Sequence, residues 1–153
     1  MTTSNPYGMA VQYSLFMNYI EKIRTSGRDA NPFFVLMGIE VGTIGDGEAE
    51  ISMQVRTDMH NGEGWLQGGI FTALADEAMV LAIYPLLEKN ERLATISEHT
   101  TFISGAREGV LTAAGRVVKR GRRVIFAEGE VRSGGRDGKI LSRTTAAFAV
   151  GKE

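Results

Sequence analysis

Apolar positions along this chain recur first with the period of a helix, then alternate, then run unbroken, then alternate again. From Met9 to Arg24, Val11, Leu15, Tyr19 and Ile23 fall four apart with Phe16 and Ile20 beside them, which predicts one amphipathic helix. Asn31-Pro32 closes that region. Ile39 to Ile44 and Glu48 to Val55 alternate on either side of Gly45-Asp46-Gly47, the pattern of a β-hairpin.

The stretch from Gln67 to Leu87 is different in kind. Rich in Ala, Leu and Met, it opens at Gly68-Gly69 and closes near Pro85, and it is apolar nearly all the way round, so it predicts a long, buried helix. Four alternating segments follow, Thr95 to Ser104, Val110 to Lys119, Arg123 to Ser133 and Lys139 to Val150. Turn signals at Gly105, Gly121, Gly134-Gly135 and Asp137-Gly138 separate them and imply consecutive antiparallel strands. A hairpin, a buried helix and a run of strands make an α+β pattern in which an antiparallel sheet curls around a central helix.

Composition narrows the function classes. The 153 residues are one domain's worth, and 43% apolar content with a net charge of -1 is that of an ordinary globular chain, with no charge excess pointing to nucleic acid. There is no cysteine, which removes disulfides, thiolate metal sites and a cysteine nucleophile. The first 21 residues lack Lys and Arg and show no secretory pattern, and no window of about 18 residues is continuously apolar, so a cytoplasmic protein without a membrane partner is expected.

Asp76 and Glu77 are the only charges between Gly64 and Leu87. A carboxylate in a buried helix costs several kcal/mol unless something pairs or solvates it, so the position is either functional or a polar group at a groove or subunit interface. The two side chains diverge by about 100° around the helix, and only one can enter a given pocket.

Upstream stands Asn61-Gly62-Glu63-Gly64-Trp65-Leu66-Gln67-Gly68-Gly69, with Asp76 eight residues after Gly68. This resembles the signature of the hotdog-fold acyl-CoA thioesterases of the phenylacetate-pathway and 4-hydroxybenzoyl-CoA types. The similarity continues through Ala73 to Asp76, Ile96 to Ala106, Val117 to Val124 and Gly138 to Phe148, spanning roughly residues 32–150. It implies a hotdog domain over 32–153, with residues 1–31 as an N-terminal helical extension. The activity implied is hydrolysis of an acyl-CoA or aryl-CoA, without metal or redox cofactor. Asp76 would be nucleophile or general base, the Gly68 backbone N–H would polarise the thioester carbonyl, and Asn61 would orient thioester or water.

Eight helical residues separate Gly68 from Asp76 by about 12 Å, too far for both to act on one carbonyl, so the two must come from different chains. The resemblance likewise implies a homodimer; a dimer of dimers is a further expectation, with dimer or tetramer left open by the sequence. Many relatives carry His where this chain has Gln67, which bonds but does not exchange a proton near neutral pH. Thr95 is the nearest candidate for the hydroxyl that such enzymes place on the strand after the helix. Arg107 to Arg143 holds ten Lys or Arg against four acids, and Arg120, Arg122 and Arg123 crowd one turn, where they suit coenzyme A phosphates or simply a solvated hairpin tip.

Other signals point nowhere specific. His60 and His99 lack metal-ligand spacing, and Gly62, Gly64 and Gly68 do not form the dinucleotide fingerprint. Phe71, Met79, Trp65 and Tyr84 are equally suited to an acyl pocket or to the core. A non-catalytic acyl-CoA binder on the same fold is the alternative function, and a dehydratase, which ordinarily pairs a His with its acid, is disfavoured by Gln67.

Overall fold

The computed structural model describes residues 18–152. Helix α1 (Tyr19–Ser26) leads through a 3₁₀ turn to the short α2 (Pro32–Met37). Strands β1 (Ile39–Gly45) and β2 (Glu48–Gln54) precede the central helix α3 (Gly68–Ile83). Four strands follow it: β3 (Glu91–Phe102), β4 (Val110–Arg120), β5 (Val124–Ser133) and β6 (Ile140–Lys152). All six form one antiparallel sheet in the order β1-β2-β4-β5-β6-β3.

The expected hairpin is present, and its turn explains its sequence. Asp46 (φ 52°) and Gly47 (φ 78°) both take the left-handed region that a two-residue hairpin turn needs. Two local expectations are corrected. The helix predicted over Met9 to Arg24 does not run through Asn18, whose side chain accepts from Glu21 N–H while Glu21 bonds back to Asn18 N–H. That capping box starts the helix at Tyr19; Val11, Leu15 and Phe16 lie outside the described residues. Asn31-Pro32, read as a terminator, instead begins α2, with Asn31 Oδ1 accepting from Phe33 N–H and Pro32 in the first turn, where its missing N–H costs nothing. Strand β3 begins at Glu91, four residues before the predicted start, because the charged Glu91-Arg92 pair hid the alternation.

The sheet wraps α3 on the side of Phe71, Ala75, Ala78, Met79 and Ala82, all buried. Close approach is bought with small residues: Gly115 on β4 faces the Ala78–Met79 backbone, and Gly129 on β5 faces Ala75 and Met79. Helix α1 supplies Ile20 and Ile23 to the cluster that contains Leu74, Leu81 and Phe34. The stretch Gly68–Leu86 has the length and composition of a bilayer-crossing helix. Its uniform apolarity also follows from this packing, with the sheet on one side and α1 on another.

A methyl group at Gly115 would overlap backbone atoms of Ala78 and Met79, which cannot rotate away, whereas one at Gly129 would lie 3.3 Å from Ala75. Gly115→Ala should therefore lower unfolding stability by about 2 kcal/mol or more, and Gly129→Ala by less than about 1 kcal/mol. Urea denaturation of the two variants checks the contrast.

Candidate active site at the central helix

Asp76 sits midway along α3 on the flank facing β3. One carboxylate oxygen is sealed from solvent and has no hydrogen-bond partner. Burial holds the Asp76 carboxyl above its usual range. An unsatisfied buried acceptor costs about 1–3 kcal/mol or more, so its presence in an otherwise apolar helix calls for a compensating role.

One turn earlier on the same flank, Thr72 Oγ1 donates to Thr100 Oγ1 on β3 at 3.1 Å, and Thr100 Oγ1 is 2.9 Å from Thr144 Oγ1 on β6. Ser142, buried and likewise unpartnered, continues this polar strip. Thr72 stands four residues before Asp76, a spacing visible in the sequence; its strand partners were not, since they depend on sheet register.

Glu77 turns to a different surroundings, as the angular offset predicted. Burial, reinforced by the neighbouring Asp76 charge, raises its carboxyl to about 7. Tyr19 of α1 and Tyr84 cross edge to face with ring centroids 5.0 Å apart, and Asn31 Nδ2 donates to Tyr19 Oη at 2.7 Å. The Tyr19 hydroxyl is pushed up to about 12, chiefly by burial. Glu77 thus belongs with the docking of α1.

The remaining predicted residues fall in three places. Gly68 and Gly69 open α3, and the side chain of Gln67, at the cap position and exposed, makes no capping bond. Among the described residues the Gly68 and Gly69 N–H groups find no acceptor, leaving two donors at the positive end of the helix. Asn61 lies in the preceding loop, where Oδ1 accepts from Glu63 N–H (2.9 Å) and Trp65 N–H (3.1 Å). That carbonyl shapes the loop, and only the Asn61 amide nitrogen is left to meet a ligand. Thr95 is exposed on β3 at a bulge and makes no side-chain hydrogen bond among the described residues.

The cationic turn divides. Arg120 is partly buried and donates to Glu91 at 2.7 Å, joining the β4–β5 turn to the start of β3. Arg122 and Arg123 are exposed. His60 Nε2 meets the Arg107 carbonyl at 2.8 Å, Arg107 stacks on Trp65, and Phe71 and Met79 are core. A cavity of about 820 Å³ lies on the face of the sheet turned away from α3, but its charges pair with one another, as Arg132 does with Glu130 and Arg136 with Glu50.

An antiparallel sheet wrapped on one long helix defines a hotdog-type architecture. The thioesterase superfamily matches residues 63–139, just over half of the chain, and the protein belongs to that superfamily. Hydrolysis of a thioester is its class of reaction. It is 23% identical over 86 residues to the 1,4-dihydroxy-2-naphthoyl-CoA hydrolase of Listeria monocytogenes, covering 56% of this chain and 70% of that one. A mutant thioesterase from Pseudomonas aeruginosa is 25% identical, with a TM-score of 0.74 over 88% of this chain and 94% of that one. A phenylacetic acid degradation-related protein from Ralstonia eutropha JMP134 shares the fold, with 23% identity and a TM-score of 0.77 over 86% and 99% of the two chains.

Glu77 makes a pH-dependent prediction. Its folded-state value of about 7 lies above the ordinary 4.5, so between these values the folded protein holds a proton that the unfolded chain has lost. Stability therefore falls as pH rises through this window. Glu77→Gln should leave the melting temperature unchanged near pH 4 and raise stability by on the order of 2 kcal/mol near pH 8, read by thermal unfolding at both pH values.

Proposed function

We propose that this protein hydrolyses an acyl-CoA or aryl-CoA to the free acid and coenzyme A, as a homodimer whose two sites each combine Asp76 of one copy with Gly68 of the other. The observation that carries this reading is the partnerless, buried oxygen of Asp76 in a helix whose open N–H donors stand about 12 Å away along the same axis. One chain alone holds the two halves of a thioester site too far apart.

The edge of the sheet supports the pairing. Strand β3 is twelve residues long, among the described residues bonds only to β6, and is exposed over most of its length, with Ile96 and Phe102 each 57% accessible. Long, flat, apolar edges of this kind invite another strand, and folded proteins ordinarily cover them. Antiparallel pairing of β3 between two copies would continue the sheet and lay the two α3 helices side by side in opposite directions.

In that arrangement the Gly68 N–H donates to the thioester carbonyl oxygen as negative charge builds on it. Asp76 either takes a proton from a water that attacks the carbonyl carbon, or attacks that carbon itself to form a mixed anhydride that water then hydrolyses to the free acid; in both the C–S electron pair leaves with sulfur, which takes up a proton from solvent as thiol. Gln67 supplies a hydrogen bond only. Arg122 and Arg123 suit the phosphates of coenzyme A, whereas Arg120 serves mainly by holding Glu91. The Listeria relative, by its name, acts on an aromatic CoA thioester, which favours aryl-CoA substrates for the first trials.

Free-thiol release from aromatic to long-chain acyl-CoAs should fall at least about a hundredfold in Asp76→Ala, the scale of a lost catalytic group. Undiminished release would remove Asp76 from the mechanism, and binding without hydrolysis by the natural protein would favour the non-catalytic binder. The cross-chain site has its own test. Co-expressed Asp76→Ala and Gly68→Pro chains, each inactive alone, should regain about a quarter of full activity, because half of randomly paired dimers carry one intact site of two. No recovery in verified mixed dimers would mean that each site is built within one chain.

A further inference from the structure

Two contacts determine how β3 passes α3. At the start of the helix the Phe102 ring lies 3.5 Å from where a side chain on Gly68 would begin, and it meets Phe71 edge-on at 6.3 Å. Further up, Thr72 bonds to Thr100. The strand therefore descends in number as the helix ascends. One turn from Thr72 to Asp76 advances about 6 Å, and two strand positions from Thr100 to Glu98 advance about 6.6 Å. Alternate strand residues share a face, so the residue brought opposite Asp76 is Glu98. Its cross-strand partner agrees: Glu98 pairs directly with Ala146, which is buried in the cluster containing Met79 of α3.

This region collects acids without cations. Burial and the Asp76 charge both raise the Glu98 carboxyl above its usual range. Among the described residues neither Asp76 nor Glu98 makes an ion pair with Lys, Arg or His. On α3 the other titratable neighbour is Glu77, itself raised by Asp76. From β6 the facing positions are Ser142, Thr144 and Ala146, all uncharged, and from β4 and β5 the helix meets Gly115 and Gly129. Among the described residues no ion pair with a basic group offsets the two carboxylates.

We propose that Glu98 is a positioning residue that forms a coupled carboxylate pair with Asp76 across the seam between α3 and β3. The role rests on the thioesterase reading of Asp76. Two like charges at close range cannot both ionise freely, so the pair gives up its protons in two steps that belong to both groups. A carboxylate beside a second one attracts a proton more strongly, and general-base efficiency rises with that affinity. Glu98 needs no contact with the substrate to act this way. It also gives a chain with Gln67, which cannot exchange a proton, a second proton-holding group at the site.

The test compares kcat/KM against pH for the natural protein, Glu98→Gln and Glu98→Asp. Removing the charge in Glu98→Gln should move the acid limb to lower pH by at least about half a unit, while Glu98→Asp keeps it near its original place. An unmoved limb in Glu98→Gln overturns the proposal. Carboxyl-carbon NMR titration gives a readout that needs no substrate: Glu98→Gln should lower the Asp76 midpoint, and Asp76→Asn should lower the Glu98 midpoint. Reciprocal shifts without thiol release by the natural protein would uphold the pair and refute the thioesterase reading of Asp76. Thiol release without reciprocal shifts would do the reverse.

Discussion

Everything in this structure depends on enclosing one helix that has almost no polar side. α3 carries apolar residues around nearly its whole circumference, so it is stable only with the sheet against one flank and α1 against another. The sheet comes close because Gly115 and Gly129 have no side chains to hold it off. From that closeness follow the curl of the sheet and the exclusion of water from the middle of the helix. It also gives weight to any charge placed there.

Against such a background two adjacent acids take unlike parts. Asp76 faces the seam between α3 and β3, among hydroxyls and beside Glu98, while Glu77 lies toward Tyr19 and Tyr84 under the N-terminal segment. A rotation of about 100° between consecutive residues is enough to turn one toward β3 and the other toward the docking of α1. Desolvation raises both carboxyls, and what differs is the company each keeps.

The third element is what the single chain leaves open. Among the described residues there are a twelve-residue edge strand, two N–H donors without acceptors at Gly68 and Gly69, and an acid with one unpartnered buried oxygen. Each alone is a local oddity. Together they are the features that a second copy would satisfy, and they support reading the site as one shared between chains.

Much of this was legible in the residues. The hairpin around Asp46-Gly47, the buried helix and the four later strands all follow from period and turn chemistry, and Asp76 stands out because a charge in an apolar helix needs a reason. Local signals that two elements share were misread: Asn18 and Asn31 are helix starts, and both lie where the stripe or a proline suggested continuation or an end. Glu98 and the Thr72–Thr100–Thr144 chain were not legible at all. Their meeting depends on the register of β3 against β6 and on the height of β3 along α3, which long-range packing sets. The sequence by itself determined the elements and the one acid in need of a partner, because those are properties of neighbours along the chain. Only the tertiary structure decided which side chains surround that acid, because residues such as Thr72 and Thr100, 28 apart, meet through the packing of sheet on helix and not through any local rule.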